Sequence, residues 1–474
     1  MFKAFKYRIY PTAEQQKQID HSISVCRLVY NLALDVKKRA YEIEKSFIGS
    51  DKVKAYKLSK YDISKQLKDL RSDYDWISVV NSQSIGYEIE NLDKAFNTFF
   101  KGGGFPKFKK KGKDIDSFTN RQHCKINWDD ELLTIPKIPN ISIVLHRKFE
   151  GQIKLITITK TSTNKYYASV IADINILLPD KLPILDNKTI GIDLGINTYA
   201  VMSDGRTISN HKFLTKPKYD DVNKCLLGKE FKKLKRLSRI ASRREGKGSP
   251  LGANGKPLKA NQKKAYLKLA KQHEKIANKR RDFLQKESTN IVNSNNTTFC
   301  FETLKIKNMS KKCKAKTDEN GKYIQNGQKR KSGLNRSIVD AGFYAFKQMV
   351  KYKSDWVGKN VLEVDTFYPS SKTCSNCGSI NKELKLTDRT WKCDICNVEH
   401  DRDLNASINI KREALNNIKE IGKGKTELTS VESSDVSVMT KKGSKKQKNL
   451  QIISLDSEND VFSKQYLPHK RLNI

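Results

Sequence analysis

The chain has 474 residues, with 92 Lys and Arg against 52 Asp and Glu, so its formal net charge is +40. No apolar run reaches about 18 residues, which excludes a transmembrane helix, and charges interrupt the N-terminal apolar stretches, unlike a secretory signal. Positive charge recurs along the whole chain, which favours nucleic acid over a membrane as the partner. Four of the nine cysteines are grouped and five are scattered, which predicts a reducing, cytoplasmic compartment.

The N-terminal part of the chain predicts one strand, a long helical block and then a β-region. Residues 2–10 alternate apolar and polar side chains, as a half-buried strand does. Thr12 and Gln15 have the spacing of a capping box, and helical patterns continue from there to about residue 100. Residues 139–176 are rich in β-branched and aromatic side chains between turn residues. The simplest topology is a β-barrel that carries a helical insertion.

The later part of the chain predicts an α/β domain. Residues 189–195 and 198–205 have the pattern of paired strands, and residues 298–302 that of a buried strand. A helix is predicted around 335–355, before a strand at 361–368. Two further helices are predicted from apolar residues at helical spacing, Leu227, Phe231, Leu234 and Ala241 in one and Leu269, Ile276 and Phe283 in the other. Polar or basic composition predicts a flexible loop at 245–262, a mobile lid at 311–333 and a fading pattern from about 418.

Two Cys-x-x-Cys pairs lie 15 residues apart, Cys374 and Cys377 followed by Cys393 and Cys396. Tetrahedral zinc takes four soft ligands, and two such knuckles on a short β-ribbon supply them. Gly378 permits the tight turn after the first pair, and Asn397 can take a left-handed conformation after the second. Chance clustering or a redox pair is the alternative interpretation. With thiolate in all four positions, the zinc would be structural rather than catalytic.

Acidic residues at the ends of apolar runs stand out in so basic a chain. Asp193 lies in the strand pattern Ile-Gly-Ile-Asp-Leu-Gly, and Glu302 ends a buried strand. Asp401 and Asp403 stand where a helix is predicted to start. One strand-end carboxylate more often caps a helix or pairs with Lys, but three from separated segments can hold two divalent ions across a phosphodiester. The sequence therefore favours metal-dependent phosphodiester cleavage.

Several motifs together resemble the TnpB family of insertion-sequence proteins, relatives of type V CRISPR effectors: KAFKYRIYPTAEQ, GIDLGINTYAV, KIANKRRDFLQK, SSKTCSNCG and DRDLNASINI. The resemblance extends to about residue 430. It implies an α/β, RNase H-like (RuvC) nuclease domain with an inserted zinc ribbon, preceded by a β-barrel domain carrying a helical insertion. It also implies a guide RNA from the transposon end that directs cleavage of double-stranded DNA next to a short transposon-adjacent motif.

Carried over position by position, the resemblance implies three catalytic acids and one zinc site. Asp193, Glu302 and Asp403 would be the catalytic acids, binding two magnesium ions, and the four grouped cysteines would bind zinc. Asp403 is preferred to Asp401 because it occupies the family's Asp-x-Asn-Ala position. Asp401 would then be a neighbour of the site rather than a ligand.

The patterns and the resemblance together predict five segments: a wedge-like β-barrel at 1–10 and 126–186, a helical recognition lobe at 11–125, a RuvC-like domain at 187–369 and 401–420, a zinc ribbon at 370–400, and a disordered tail at 421–474. Within the helical lobe, Gln83 and Tyr87 are candidate contacts to base edges of the DNA motif. A helix cap and a core aromatic residue would explain these two positions equally well.

Three other functions remain open from the sequence. A type V CRISPR effector would use the same chemistry with a guide from another source. A nucleic-acid-binding regulator on a silent nuclease fold is disfavoured because all three acids are intact. A transposase that joins DNA ends by transesterification is compatible with the acids, but the zinc ribbon inserted before the third acid fits a guided nuclease better.

Overall fold

The computed structural model divides into two units at the boundary between Leu177 and Leu178. None of its described helices combines the length and the apolar composition needed to cross a membrane. The residues that the structure describes are 1–46, 58–214, 218–219, 225–245, 259–385 and 387–427.

The first unit contains a seven-stranded antiparallel sheet. Its strands are β1 (Phe2–Tyr10), β2 (Asp116–Asn120), β3 (Lys125–Asn127), β4 (Leu132–Ile135), β5 (Ile138–Val144), β6 (Gln152–Lys160) and β7 (Tyr166–Asp173). Their order is β2-β6-β7-β1-β5-β4-β3, which confirms that residues 2–10 join the later strands. No ladder joins β2 to β3 among the described residues, so the expected closed barrel is instead a half-barrel.

The described residues of the first unit also form four helices: α1 (Ala13–Ser46), α2 (Lys60–Asp73), α3 (Asp75–Ser78) and α4 (Ser82–Phe100). The predicted capping box at the start of α1 is confirmed, because the Thr12 amide donates to Gln15 Oε1 at 2.9 Å and the Gln15 amide to Thr12 Oγ1 at 3.3 Å. Helix α1 buries Ile19, Ile23 and Cys26 in the core of the sheet, so a helix covers apolar surface that a closed barrel would enclose.

The boundary predicted for the helical lobe at residue 125 is too late. Strand β2 pairs with β6 along its whole length, so the helical segment ends before Asp116. The strand reads Asp-Ser-Phe-Thr-Asn, and its last two residues, Thr119 and Asn120, are polar although they are buried. Asn120 is matched by a hydrogen bond from the Ser84 hydroxyl on α4, a partner that local sequence pattern does not reveal.

The second unit is built on a five-stranded sheet of β8 (Thr189–Leu194), β9 (Thr198–Met202), β10 (Thr207–Ser209), β13 (Thr298–Glu302) and β16 (Asn360–Val364). The order is β10-β9-β8-β13-β16, with β8, β13 and β16 parallel and β9 antiparallel to both of its neighbours. Two-stranded sheets are formed by β11 (Lys218–Tyr219) with β12 (Cys225–Leu227), β14 (Lys316–Thr317) with β15 (Tyr323–Ile324), and β17 (Thr390–Lys392) with β18 (Glu399–Asp401).

Helices cover both faces of the five-stranded sheet. The described helices of this unit are α5 (Lys229–Glu245), α6 (Ala260–Val292), α7 (Ile306–Met309), α8 (Gln328–Ala341), α9 (Phe343–Trp356) and α10 (Arg402–Glu427). On one face, Ile190, Ile192 and Phe301 share a core with residues of α6 and α9. On the other face, α10 packs Ile410 against Cys300. A parallel sheet covered in this way is buried on both sides, which explains its nearly continuous apolar strands.

Gly191 allows α10 to lie directly on the sheet. A Cβ atom at this position would overlap the Ser407 carbonyl oxygen and come within 2.8 Å of the Lys411 amide nitrogen. Both are backbone atoms of the helix, so they cannot move aside as a flexible side chain could. The close approach fixes the position of α10, whose first turn contains Asp403, against the sheet.

We expect Gly191→Ala to destabilise the second unit by more than about 3 kcal/mol, because the added methyl overpacks a helix against a strand. Gly333→Ala is the matched control, since a Cβ there meets nothing closer than 4.0 Å and the residue lies within α8. That control should be neutral or stabilising by up to about 1 kcal/mol. Chemical denaturation of both variants measures the difference, and equal stabilities would contradict the close helix approach.

Several predicted boundaries differ from the structure, and the strand expected at 361–368 is β16, which ends at Val364. Gly342, with φ of 65°, breaks the helix expected around 335–355 into α8 and α9. Leu227 lies in β12 and not in helix α5. The expected lid at 311–333 contains the β14–β15 hairpin and the start of α8, and its motion stays a prediction. Helix α10 continues to Glu427, beyond the expected end of the domain at 420. Residues 246–258 of the predicted loop and 428–474 of the predicted tail lie outside the described residues.

Candidate active site and metal centre

Asp193 and Glu302 lie at the same level near the ends of two neighbouring parallel strands. Phe301 pairs with Ile192, so the next residue on each strand is Glu302 on β13 and Asp193 on β8. Side chains alternate along a strand, and Gly191 and Cys300, two residues earlier, both face α10. The strand register therefore points both carboxylates towards the face that α10 covers.

The third acid comes from the start of α10, and the structure distinguishes its two candidates. Asp401 is exposed and its Oδ1 accepts from the Leu404 amide at 2.8 Å, so it caps the helix. Asp403 is half-buried in the first turn, with its Oδ1 3.5 Å from Nη1 of Arg389. The cap explains Asp401 without any catalytic role and leaves Asp403 as the candidate ligand.

The three carboxylates interact electrostatically, although among the described residues only the four grouped cysteines have ligand atoms that all lie within 4.8 Å of one another. Burial and then the negative charges of Glu302 and Asp403 raise the pKa of Asp193 to about 7. Arg402 and the Leu194 amide oppose this rise only in part. Half-buried carboxylates whose negative charges interact fit a site for hard divalent ions, which prefer carboxylate oxygen and retain water.

The raised pKa has a consequence for stability. A carboxyl that binds its proton more tightly when folded contributes stability that is full below pH 3.8 and is lost as the pH rises through 7. We therefore expect Asp193→Asn to gain stability over wild type by about 2 kcal/mol between pH 5 and pH 8 in magnesium-free buffer. Urea unfolding across this range measures the difference. A difference that does not change with pH would mean that Asp193 titrates normally.

The four grouped cysteines form a second site in the same unit. Their sulfur atoms all lie within 4.8 Å of one another. In the described part of the chain, they are the only group of three or more His, Cys, Asp or Glu side chains whose ligand atoms lie this close together. The expected knuckle geometry is confirmed, with φ of 80° at Gly378 and 58° at Asn397. Four thiols at this separation can hold one tetrahedral ion.

Polar neighbours surround the cysteine sulfurs. The Ser379 hydroxyl lies 3.0 Å from Cys377 Sγ and 3.1 Å from Cys393 Sγ. Hydrogen bonding from Ser379 and from backbone amides lowers the pKa of Cys393 to about 6. Nε2 of the buried His400 lies 3.0 Å from Cys374 Sγ. Burial lowers the pKa of His400, so the neutral imidazole can orient this ligand through an N–H group.

Gln83 and Tyr87 both lie on α4, as predicted. The helix cap is Asn81, whose Oδ1 accepts from the Gln83 amide at 2.9 Å, so Gln83 is not the cap. Its side chain donates to Gln122 Oε1 at 2.5 Å. Tyr87 is half-buried, with the Arg121 guanidinium 4.7 Å from its ring centre. Both side chains therefore have partners within the first unit, and a DNA contact stays a prediction.

Sequence reasoning missed three buried polar residues around the acids and cysteines. Ser370 donates from its hydroxyl to Glu302 Oε1, and Asn405 and Asn409 hold the backbone before the first cysteine. Ser370 and Asn405 lie inside motifs that carry the family resemblance, but their partners are at least 32 residues away along the chain. Such contacts cannot be inferred from local spacing.

Three family models match the chain. Residues 179–312 match OrfB_IS605, described as a probable transposase, and residues 343–410 match the TNB domain of Cas12f1-like proteins. Residues 1–46 match a helix-turn-helix domain of the same IS605 OrfB group. In this structure, that range consists of strand β1 and the single helix α1.

Curated relatives cover most of the chain. A protein of Streptomyces pristinaespiralis that bears the name RNA-guided DNA endonuclease is 30% identical over 412 residues, or 86% of this chain and 88% of the relative. The similarly named InsQ of Escherichia coli (strain K12) is 28% identical over 409 residues, 86% of this chain and 91% of the relative. A solved Cas12f1–sgRNA–target DNA complex aligns with 87% of this chain and 98% of that chain, at 16% identity and a TM-score of 0.42.

Proposed function

Because this chain belongs to the TnpB family of transposon-encoded RNA-guided DNA endonucleases, we propose that it cleaves double-stranded DNA beside a short adjacent motif, at a sequence chosen by a guide RNA. The guide would come from the transposon end. The observation that carries the nuclease assignment is the strand register that sets Asp193 level with Glu302 beneath the helix whose first turn carries Asp403. Burial and then the charges of Glu302 and Asp403 raise the pKa of Asp193 to about 7.

The three acids would hold two magnesium ions. When bound, such ions activate a water for in-line attack on phosphorus and stabilise the leaving 3′ oxygen. Asp193 must lose its proton to serve as a ligand, and its raised pKa makes the ionised form less favourable than in an ordinary Asp. Arg389 and Arg402 lie beside Asp403 and Asp193, where their positive charge would also attract a phosphate.

The arrangement of the second unit supports an RNase H-like (RuvC) assignment. Its sheet has three parallel strands with an antiparallel extension, and two of the parallel strands carry Asp193 and Glu302 near their ends. The helix on one face of the sheet carries the third acid, Asp403. The cysteine cluster, with β17 and β18, would be the zinc ribbon inserted between β16 and α10. Its zinc would be structural, because four thiolates leave no open coordination position.

Helices α5 and α6 offer a surface for a nucleic-acid backbone. They enclose a groove of about 500 Å³ with an apolar floor that includes Leu237 and Ile240. The acidic neighbour Glu230 is engaged by Lys275 at 3.2 Å and Lys279 at 2.6 Å. The cations that line the groove are Lys233, Arg236, Lys268, Lys271 and Lys275. We assign this groove to the phosphates of the guide RNA or of its heteroduplex with DNA.

We expect the double substitution Lys268→Ala and Lys271→Ala to weaken RNA binding without changing sequence preference. The slope of log K against log salt should fall by about 1 for each lysine. Lys286→Ala is the control on the same helix, because Lys286 pairs with Asp282 and does not line the groove. Filter binding between low and moderate salt measures the slopes. An unchanged slope in the double variant would remove the groove from the binding surface.

Gln83 and Tyr87 remain our candidates for contact with the adjacent DNA motif. Their surroundings support this role, because Arg121 and Lys94 lie over the Tyr87 ring at 4.7 and 5.4 Å. Cations around the Tyr87 ring could hold the phosphates that flank a base edge contacted by Gln83. A selection of cleaved motifs with Gln83→Ala tests the assignment, and an unchanged preference would remove it.

The experiment that tests the proposed function is to express the chain with its native flanking DNA, purify it in high salt and sequence the bound RNA. One discrete RNA that runs from the end of the element into flanking sequence would support a transposon-guided nuclease. Repeat–spacer RNA would support a CRISPR effector instead. Heterogeneous RNA would mean that the net charge of +40 gives only a general affinity for polyanions, and it would overturn the guided function.

A further inference from the structure

Ser370 connects the zinc-ribbon segment to one of the three acids. It follows strand β16, shortly before the first cysteine of the cluster, and only 5% of its surface is exposed. Its hydroxyl donates a hydrogen bond to Glu302 Oε1. This bond occupies one lone pair of the carboxylate and fixes its rotamer, while the remaining lone pairs stay available for a cation.

Ser370 is itself held by helix α10. The Asn409 side-chain amide donates to the Ser370 carbonyl at 2.8 Å and to the Thr373 carbonyl at 2.6 Å. One turn earlier, Asn405 Nδ2 donates to the same Thr373 carbonyl at 2.7 Å, and its Oδ1 accepts from the Ser375 amide at 2.8 Å. Both asparagines are at most 1% exposed. They fasten the turn at 370–375 to the helix whose first turn carries Asp403.

We propose that Ser370 is a positioning residue for Glu302, and that Asn409 acts on Glu302 through Ser370. The helix that carries Asp403, the turn before the first cysteine and the carboxylate of Glu302 then move as one hydrogen-bonded unit. This proposal rests on the proposed function, in which Glu302 is a metal ligand. Hydrogen bonds that orient a ligand from outside the metal's coordination sphere typically change metal affinity by about 10- to 100-fold.

The test measures metal affinity directly and does not depend on cleavage. Mn²⁺ is titrated calorimetrically into the full chain with zinc bound, in the wild type and in Ser370→Ala. We expect Ser370→Ala to bind Mn²⁺ at least about 10-fold more weakly, with unchanged zinc content and melting temperature. Ser407→Ala is the matched control, because that buried hydroxyl donates only to the Leu404 carbonyl of its own helix, at 2.7 Å. Equal Mn²⁺ affinity in the wild type and Ser370→Ala would overturn the proposal.

A double-mutant cycle tests whether Asn409 acts through Ser370. Asn409→Ala should weaken Mn²⁺ binding when Ser370 is present and have little further effect when Ser370 is already Ala. Additive losses would overturn this step. Glu302→Gln separates the proposal from the proposed function. If that variant binds Mn²⁺ like the wild type, Glu302 is not a ligand and the proposed function fails. If it loses binding while Ser370→Ala does not, only the positioning role fails.

Discussion

Asp193→Asn should lower guided DNA cleavage by roughly 10³-fold or more, because it removes one charge from a site that clamps metal ions around the scissile phosphate. RNA and DNA binding should stay close to wild type, since the substitution keeps the size of the side chain and the lysine-rich surfaces are untouched. Single-turnover cleavage of a plasmid, together with a binding measurement on the same preparation, checks both parts of the expectation.

Asp401→Asn is the matched control for this substitution. It also exchanges one carboxylate for an amide beside the predicted third ligand, but Asp401 caps α10 and Asn is an equally good cap. We expect it to cleave at a rate close to wild type. If both variants lost cleavage activity equally, the loss could not be attributed to the metal site, since Asp401 only caps α10. If Asp193→Asn kept full cleavage activity, the three acids would not be the nuclease site.

Loss of one cysteine ligand should have the largest effect on stability. Structural zinc contributes on the order of 10 kcal/mol to the folding of small metal-binding domains. Cys393→Ser should therefore abolish zinc binding and unfold residues 370–400. The five-stranded sheet has its own core and should remain folded. Cleavage should fall as well, because Asn405 and Asn409 join this segment to the helix that carries Asp403.

Hydrogen exchange and zinc analysis of the same sample measure this effect. Rapid exchange confined to the ribbon, together with loss of the bound metal, is the expected result. Cys313→Ser is the control, because Cys313 is half-buried and does not belong to the cysteine cluster. A Cys393→Ser protein with wild-type exchange in the ribbon would show that zinc does not stabilise it.

Features with a local cause were predictable from the sequence. Strand β1 follows from strict alternation, and the start of α1 follows from Thr12 and Gln15. The left-handed backbone of Asn397 follows from the knuckle turn that repeats after each cysteine pair. The level pairing of Asp193 with Glu302 follows from two apolar strands of similar length that each carry an acid at or next to their last residue.

Features that depend on distant partners were not predictable. Strand β2 looks polar in sequence, and only Ser84 on α4 explains its buried Asn120. The half-barrel does not close because α1 packs into its core, which is a property of tertiary packing. Gly342 breaks a continuous helical pattern because glycine readily adopts the left-handed region, a preference that a single sequence leaves unresolved. The role of Ser370 depends on a strand end 68 residues away.

The central claim is that base pairing by a bound RNA selects the cleavage site. The most direct measurement is to replace the segment of the co-purified RNA that runs beyond the element and to map the cuts on a plasmid library. We expect cleavage to move to the sequence complementary to the new segment, next to the same short motif, and to disappear in Asp193→Asn. Cuts that stay at the original positions, or that occur without regard to the RNA, would contradict RNA guidance.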